Sequence, residues 1–492
     1  MKRVVAVALG LALWSVLTIR HLDRPYVGAF DLAAVEQALF GLNHVRYGVA
    51  HTLLAPCRGV TEVPSTRPHV NSTSPRLLPA LGALAALAPG PPLENVRWVS
   101  FIAALTASLL LLRLLPSRLG FAGRFVAFVL LLSMPAVAYF ARVPVPEVVL
   151  TVLVLAILVA HRSFMRQPMP ARGGVLGAAC ALGVWSGCAA LAAAILSALH
   201  ILIAGRSSVG RWRSLYPLGG ALVALAVWCA QNALLAGPAA GFAMFQPGTL
   251  LSAQGASLLQ ERLSSHAETV FGLGAAVLAC AAVPLLLLDR KVRAGSMPLL
   301  LLVVTGLTHL LLESRAPTHH SLLLIPLAPA VAWGAAEVVV WAARSLKPLH
   351  LDLLPYLLIA TTILPMHWRA AEELAGKVSG EAVGDIEAGR KIQELTGTSD
   401  EIVTPATERR LLMEVTAARK IHYGIRSPRQ AWTATRARSR GVGLWLAYPV
   451  PLLAEPEGLA PSRARFGNWT STIEGREVKA GRYLVCRLLD TP

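Results

Sequence analysis

The sequence predicts a polytopic α-helical membrane protein of about eleven transmembrane helices, closed by a small α/β domain outside the membrane. Three observations carry that expectation. Hydrophobic residues fill 55% of 492 positions and the mean hydropathy is +0.58, more apolar surface than a water-soluble core of this length buries. Apolar runs recur at close to the about 20 residues that a helix needs to cross a bilayer. The formal charge is +18, and much of the Lys and Arg lies in short loops between those runs, the ordering that keeps positive charge inside. That distribution argues against a nucleic-acid partner.

Taken in order, MKRVVAVALGLALWSVLTIRHLDR has a basic start and an apolar stretch with no small-x-small cleavage site after it, so residues 3–20 are expected to remain as an anchor. Further spans are expected at 93–113, 122–141, 145–163, 172–187, 188–204, 213–236, 268–288, 296–314, 320–344 and 350–367. The run LLPALGALAALAP, 77–89, covers 13 residues, and a stretch that short reads as re-entrant or interfacial. Its crossing would invert every later loop. Without it, Arg113, Arg118 and Arg124, then Arg162, Arg166 and Arg172, then Arg206, Arg211 and Arg213, then Arg290, Lys291 and Arg293, then Arg344 and Lys347 all fall on the cytoplasmic side with the amino terminus. The expected protein sits in the plasma (inner) membrane with its amino terminus inside and its carboxyl terminus outside. Residues 1–368 form the transmembrane module, whose outer loop 21–92 carries juxtamembrane helices, and 369–492 form the outer domain.

That tail changes composition. DIEAGRKIQELTG has helical spacing, whereas EIVTP, GVGLWLAYPV and GRYLVCRLLD read as strands. Of six cysteines, Cys180, Cys188, Cys229 and Cys280 lie in apolar runs and read as small hydrophobes. Cys57 and Cys486 are expected to be exposed and able to bridge in an oxidising compartment.

Three stretches hold residues suited to chemistry. In RPYVGAFDLAAVEQALFGLNHVRYG, Phe30, Ala34, Leu39 and Leu42 form an apolar helix face expected to lie on the bilayer surface, with Asp31 and Glu36 wet. Five residues apart, these carboxylates point in different directions and are no acid/base pair on one face. Asp31 reads equally as a helix N-cap. His44, Arg46, His51 and Arg67 read as groups seeking lipid headgroups, and His69 is no more specific. In SMPAVAYFARVPVPEVVL, Arg142 and Glu147 fill the gap between two spans, where a charge forced to the bilayer centre costs about 2.5–3.5 kcal/mol. They read as an ion pair fixing two helix ends or as part of a site. In LLLESRAPTHHSLLLIPLAP, Arg315, His319 and His320 offer donors suited to a phosphate, or a polar cap on a membrane helix. No metal-ligand spacing, phosphate loop or nucleophile elbow occurs.

The order of these features resembles the GT-C glycosyltransferases that use polyprenyl-phosphate-linked sugars, among them the protein O-mannosyltransferases and the bacterial enzyme that adds aminoarabinose to lipid A. The matching pieces are GAFDLAAVEQALFGLNHVRYG, STSPRLLPALGALAALAPG, ENVRWVSFIAALTASLLLL, YFARVPVPE and HHSLLLIPLAPAVA, spread over residues 1–345. The resemblance implies an inverting transfer at the outer membrane face, from a polyprenyl-phosphate sugar donor to a hydroxyl of a lipid, glycan or protein acceptor. It makes Asp31 the loop aspartate that acts as base toward that hydroxyl or orients it. Arg76, Arg142, Arg315, His319 and His320 are then available to the leaving phosphate, with Glu147 and His69 as further substrate-side candidates. Ser74-Pro75-Arg76 stands where relatives carry His-Pro-Pro, Ser186 about where some carry a lysine, and Ser321 where an aromatic is usual.

Two other classes fit the sequence, a flippase or transporter of lipid-linked sugars and a non-catalytic scaffold acting through its tail. Transporters place charges at mid-membrane, and here the deepest ionisable residues are His309 and Glu337, toward opposite ends of their spans. The cofactor is left open, a divalent cation included.

Overall fold

In the computed structural model the described residues are 8, 10–12, 14, 15, 18, 19, 31–58, 69, 70, 76–90, 92–204, 212–238, 266–289, 295–312, 322–376, 380–397, 400–406, 413, 416, 417, 419–423, 425, 427, 429–431, 443–449, 473–480 and 483–488. Side chains are described for most of these, but not for Asp31, Arg58, His69 or Cys188.

Among the described residues the fold is a helical bundle with one larger sheet at its carboxyl end. Its helices are α1 (Asp31–Tyr47), α2 (Leu77–Ala86), α3 (Arg97–Leu114), α4 (Gly120–Ser133), α5 (Pro135–Phe140), α6 (Pro146–Arg166), α7 (Pro170–Ser186), α8 (Cys188–Ala204), α9 (Leu215–Ala236), α10 (Leu273–Leu288), α11 (Met297–Leu312), α12 (Ala328–Leu346), α13 (Leu364–Gly376) and α14 (Gly380–Leu395). Proline opens α5, α6 and α7, where its missing N–H costs nothing and its fixed φ suits the first turn. The same rule splits the run expected as one span at 122–141. Met134, ahead of Pro135, has ψ 131, because the ring excludes a helical conformation from its predecessor. Gly237, with φ +97, ends α9, a left-handed conformation that glycine adopts without strain.

Among the described residues four helical stretches are long and apolar enough to cross a bilayer: Arg97–Leu114, Pro146–Arg166, Leu215–Ala236, and the continuous run Leu322–Leu349. Helix α2 has 10 residues and rises about 15 Å, half of a bilayer core. Small residues bring helices together: a Cβ on Gly220 of α9 would collide with the Gly177 carbonyl oxygen of α7, the close approach by which membrane helices gain packing.

The apolar face of α1 is a correction to the sequence reading. Ala34, Leu39 and Leu42 are buried against α2 instead of lying open to lipid, because Gly41 and Gly82 let the two helices meet at their backbones. A Cβ on Gly41 would stand 2.9 Å from the Gly82 carbonyl carbon.

Basic side chains gather where α3, α6 and α12 end and α4 and α7 begin, and they bond to exposed carbonyl ends of helices. Arg162 donates to the Leu114 and Arg113 carbonyls, Arg172 to Ser163 at 3.0 Å, and Arg344 to the Arg118 carbonyl. Glu337, only 4% exposed, is held here by Arg118 Nη2 at 2.7 Å and by Trp333 Nε1 at 3.0 Å. It is a fastened structural carboxylate.

The tail forms β3 (Glu401–Val403), β4 (Lys420–His422), β5 (Leu444–Pro449), β6 (Ile473–Ala480) and β7 (Tyr483–Leu488), in the order β4-β3-β5-β7-β6. Strand β3 runs parallel to β4 and β5, and β7 antiparallel to β5 and β6. Ala388 and Ile392 of α14 pack on it with Ile402 and Val485. Asp400 ties the edge of this unit, accepting from Gly397 N at 2.8 Å, Gly443 N at 3.1 Å and Trp445 Nε1 at 3.0 Å. Cys486 lies inside the sheet core and Cys57 against Ala55 and Leu235, both 0% exposed and both free thiols, so the bridge allowed by the sequence is absent. Cys280, expected to be packed, is exposed.

Replacing Glu337 by Ala leaves Arg118 without its anion and is expected to cost about 3 kcal/mol, read as a fall in the melting temperature of the detergent-solubilised protein relative to Ser at an exposed position such as Thr361.

Candidate active site

A cluster of buried polar side chains, called the chamber below, lies where α1, its following loop and the start of α2 meet the far end of α9. Gly48, φ +83, stops α1, and the turn Val49–Thr52 follows. Leu53 and Leu54 then adopt φ 48 and φ 57, left-handed conformations that cost bulky residues free energy and persist only when their surroundings impose them. Gln231 of α9 supplies that constraint, donating to the Leu53 carbonyl at 2.7 Å while accepting from Trp185 of α7 at 3.3 Å. Beyond the turn, β1 (Cys57–Arg58) pairs antiparallel with β2 (His69–Val70), and Asn43 fastens this ribbon to α1 by donating to the Cys57 carbonyl at 2.7 Å.

Arg76, immediately ahead of α2, belongs to this cluster and is 0% exposed. Its Nη2 donates to Asn232 Oδ1 of α9, and its guanidinium carbon lies 4.9 Å from the centre of the Trp228 ring, a cation–π distance. Among the described residues Nε and Nη1 have no hydrogen-bond partner, and no carboxylate pairs with the group. Burial lowers its pKa to about 10, so it remains a cation at neutral pH. An unpaired buried cation is costly, and a bound anion removes that cost.

His44 is the second polar group of the chamber, 1% exposed, and corrects the reading of this residue as a headgroup seeker. Its Nδ1 is 2.8 Å from Thr52 Oγ1, and the Thr52 hydroxyl donates to the Gly48 carbonyl at 3.2 Å. Nε2 is buried with no partner among the described residues. Burial, and secondarily the nearby Arg76 charge, lowers the His44 pKa to about 4. Burial also raises the Cys57 thiol to about 11, against a smaller opposing effect of Arg76, so the thiol stays neutral. Beside the chamber runs an apolar groove of about 410 Å³, lined by Val49, Leu53, Leu54, Val227 and Leu234.

The other sequence candidates are distributed as follows. Asp31 opens α1, and the 13 residues from it to His44 rise about 20 Å; the two ends of one helix hold the aspartate and the chamber. Gln37, two turns before His44 on the same face, is 6% exposed, and its Oε1 has no partner among the described residues. Arg142 is 3% exposed and pairs with Glu372 of α13 at 3.4 Å, its guanidinium 5.8 Å from the Trp368 ring centre. It fastens the end of the last helices to the α5–α6 turn. Glu147 lies in the first turn of α6, its backbone carbonyl accepting from Thr151 at 2.7 Å. Ser186 is buried. His69 lies in β2, and Arg315, His319 and His320 lie outside the described residues. Among the described residues no group of three or more His, Cys, Asp and Glu is placed to hold a metal ion.

No protein-family model matches the sequence, and no curated protein matches it. Solved structures do. ArnT from Cupriavidus metallidurans, in the apo state, aligns over 98% of this chain and 97% of its own, with a TM-score of 0.61 at 12% identity. The same enzyme bound to undecaprenyl phosphate aligns with the same values. The chain has the GT-C fold. The GT-C likeness runs the whole length of the chain, tail included, beyond the 1–345 over which sequence pieces match. Within this fold, Asn232, Trp228 and His44 are residues that sequence reasoning did not select. Asn232 stands 156 positions from Arg76, and nothing in a hydrophobic span marks one amide as an arginine partner.

Replacing Arg76 by Met is expected to leave the melting temperature of the ligand-free protein unchanged or higher, because the unpaired charge is gone and volume is kept. Undecaprenyl phosphate is expected to raise the melting temperature of the wild type and not of the variant, as read by thermal denaturation with and without the lipid.

Proposed function

We propose that the protein transfers a sugar from a polyprenyl-phosphate donor to a hydroxyl acceptor. The observation that carries this reading is Arg76, a fully buried cation with two unmatched donor nitrogens, set in a fold shared with a protein crystallised with undecaprenyl phosphate. A phosphate seated there supplies the missing anion, and the adjoining apolar groove gives an isoprenoid chain a place out of water.

Catalysis then rests on charge that develops as the bond from the anomeric carbon to the phosphate oxygen breaks. The electron pair passes to the phosphate, and Arg76, already oriented by Asn232 and Trp228, receives the growing charge without reorganising. A single in-line displacement by the acceptor hydroxyl inverts the anomeric centre, its proton passing to solvent; Asp31, about 20 Å along α1 from His44, lies too far from a phosphate on Arg76 to be the base and is proposed to orient the acceptor. Between them on α1, the amide oxygen of Gln37, without a partner among the described residues, is proposed to meet hydroxyls of the donor sugar. Arg315, His319 and His320 are proposed as further phosphate donors.

The side of the membrane follows from charge. The chamber lies at the end of α7 and α9 remote from the basic ends of α3 and α6, and positive charge stays inside; the reaction is therefore assigned to the outer face, together with the tail from 369 onward.

Asp31→Asn is expected to insert normally and to bind undecaprenyl phosphate, with transfer in proteoliposomes supplied with a polyprenyl-phosphate sugar reduced by about 100-fold through loss of acceptor orientation. Turnover at the wild-type rate would remove Asp31 from the mechanism. Alkaline phosphatase fused after Pro492 is expected to be active in a bacterial host, and a fusion active only as a cytoplasmic reporter would reverse the assigned face.

A further inference from the structure

One amide fixes the wall of the apolar groove. Gln231 of α9 donates from Nε2 to the Leu53 carbonyl at 2.7 Å and accepts at Oε1 from Trp185 Nε1 at 3.3 Å. Chemistry settles its orientation: a carbonyl only accepts and an indole N–H only donates, so each end of the amide is matched to its partner. The Leu53 N–H is already used on the Val49 carbonyl at 2.7 Å. Leu53 and Leu54, φ 48 and φ 57, are thereby held in a left-handed conformation that bulky side chains avoid. Both line the groove of about 410 Å³ that they share with Val49 and, from α9, with Val227 and Leu234.

Successive residues of a helix project about 100° apart, so neighbouring faces of α9 serve two purposes. Trp228 and Asn232 hold Arg76, and Val227, Gln231 and Leu234, one step round the helix, line the groove. The spacing from the cation to the groove is therefore set by one rigid helix. Val49 and Leu234 are 51% and 76% exposed, which leaves the groove open along one edge for a chain to enter. We infer that Gln231 is a positioning residue for the lipid chain of the donor: by imposing the left-handed turn it keeps Leu53 and Leu54 beside α9 and shapes a slot for the isoprene units next to the phosphate. This rests on the proposed function. The occupant is a single unsaturated, methyl-branched chain, because the groove has room for a few isoprene units of one chain and the phosphate at its head is the anion that Arg76 lacks among the described residues. Leucine at 231 would leave the Leu53 carbonyl unmet, and glutamate would set two acceptors face to face, so either change lets the turn relax.

The test is binding to the full-length protein in phosphatidylcholine nanodiscs, by titration calorimetry, of two phosphate monoesters that differ in chain: undecaprenyl phosphate and dimethylallyl phosphate, which has one isoprene unit. Gln231→Leu and Gln231→Glu are expected to weaken undecaprenyl phosphate by about tenfold, the worth of one hydrogen bond, and to leave dimethylallyl phosphate unchanged. Equal losses on the two ligands would make Gln231 a general support of the fold, and no loss on either would leave it without a part in binding; both outcomes overturn the inference. Wild-type protein that binds the two ligands equally also overturns it while the phosphate site stands, whereas wild-type protein that binds neither overturns the proposed function itself. A second measurement needs no variant and decides the matter if the substituted proteins fail to fold. Undecaprenyl phosphate carrying a photoreactive diazirine on the isoprene unit next to the phosphate is expected to label residues 49–54 or 227–234 of the wild type, with dioleoyl phosphatidic acid, a phosphate monoester on two acyl chains, a poor competitor. Labelling confined to other segments, or equal competition by the phosphatidic acid, overturns the assignment of the groove.

Discussion

A guanidinium removed from water, with no carboxylate partner among the described residues, is the constraint around which the chamber is built. Arg76 is 0% exposed, and a buried ion of that kind persists only if dipoles, an aromatic face or a ligand stand in for solvent. The protein supplies the first two from one helix, an amide from Asn232 and a ring from Trp228. The third is left to be met. Two unmatched nitrogens keep the site poised for an anion, which is how binding free energy is stored in a rigid fold.

The surroundings serve that placement. Gly41 against Gly82 lets α1 lie close on α2, which carries Asn43 and His44 over the arginine. The strained Leu53 and Leu54 are held by Gln231, so the wall of the chamber and the wall of the apolar groove are one structure. Locally costly conformations collect here, as expected where a site has to be held open against collapse. At the other end of the bundle the charges have partners: Arg118 with Glu337, and arginines on the carbonyl ends of helices. At the basic end these charges are met within the chain, whereas Arg76 keeps two nitrogens without a partner among the described residues.

The alternatives weighed against a transferase meet the same facts. Glu337, the carboxylate that would have marked a transport path, is fastened at the basic end by Arg118 and Trp333. The Arg142 contact with Glu372 shows why an intramembrane charge need not be catalytic: it joins helices that are 230 positions apart in sequence.

Much was decided by the sequence alone. Its hydropathy, its loop arginines and the break at Pro135 are local properties, and each acts within one helix or one loop, so helical character, the short run at 77–86 and the strand-rich tail could be read directly. The candidate Arg76 could be named too, through the resemblance to the GT-C family. What only the tertiary structure decided is which groups share an enclosure. Cys57 and Cys486 read as exposed and are buried; His44 reads as a surface residue and is sealed on the buried face of α1; Asp31 and Arg76, joined by resemblance, are set toward opposite ends of one helix. These outcomes depend on helix crossings fixed by glycine contacts and by partners more than a hundred residues away, and no periodicity along the chain encodes the distance between two such faces.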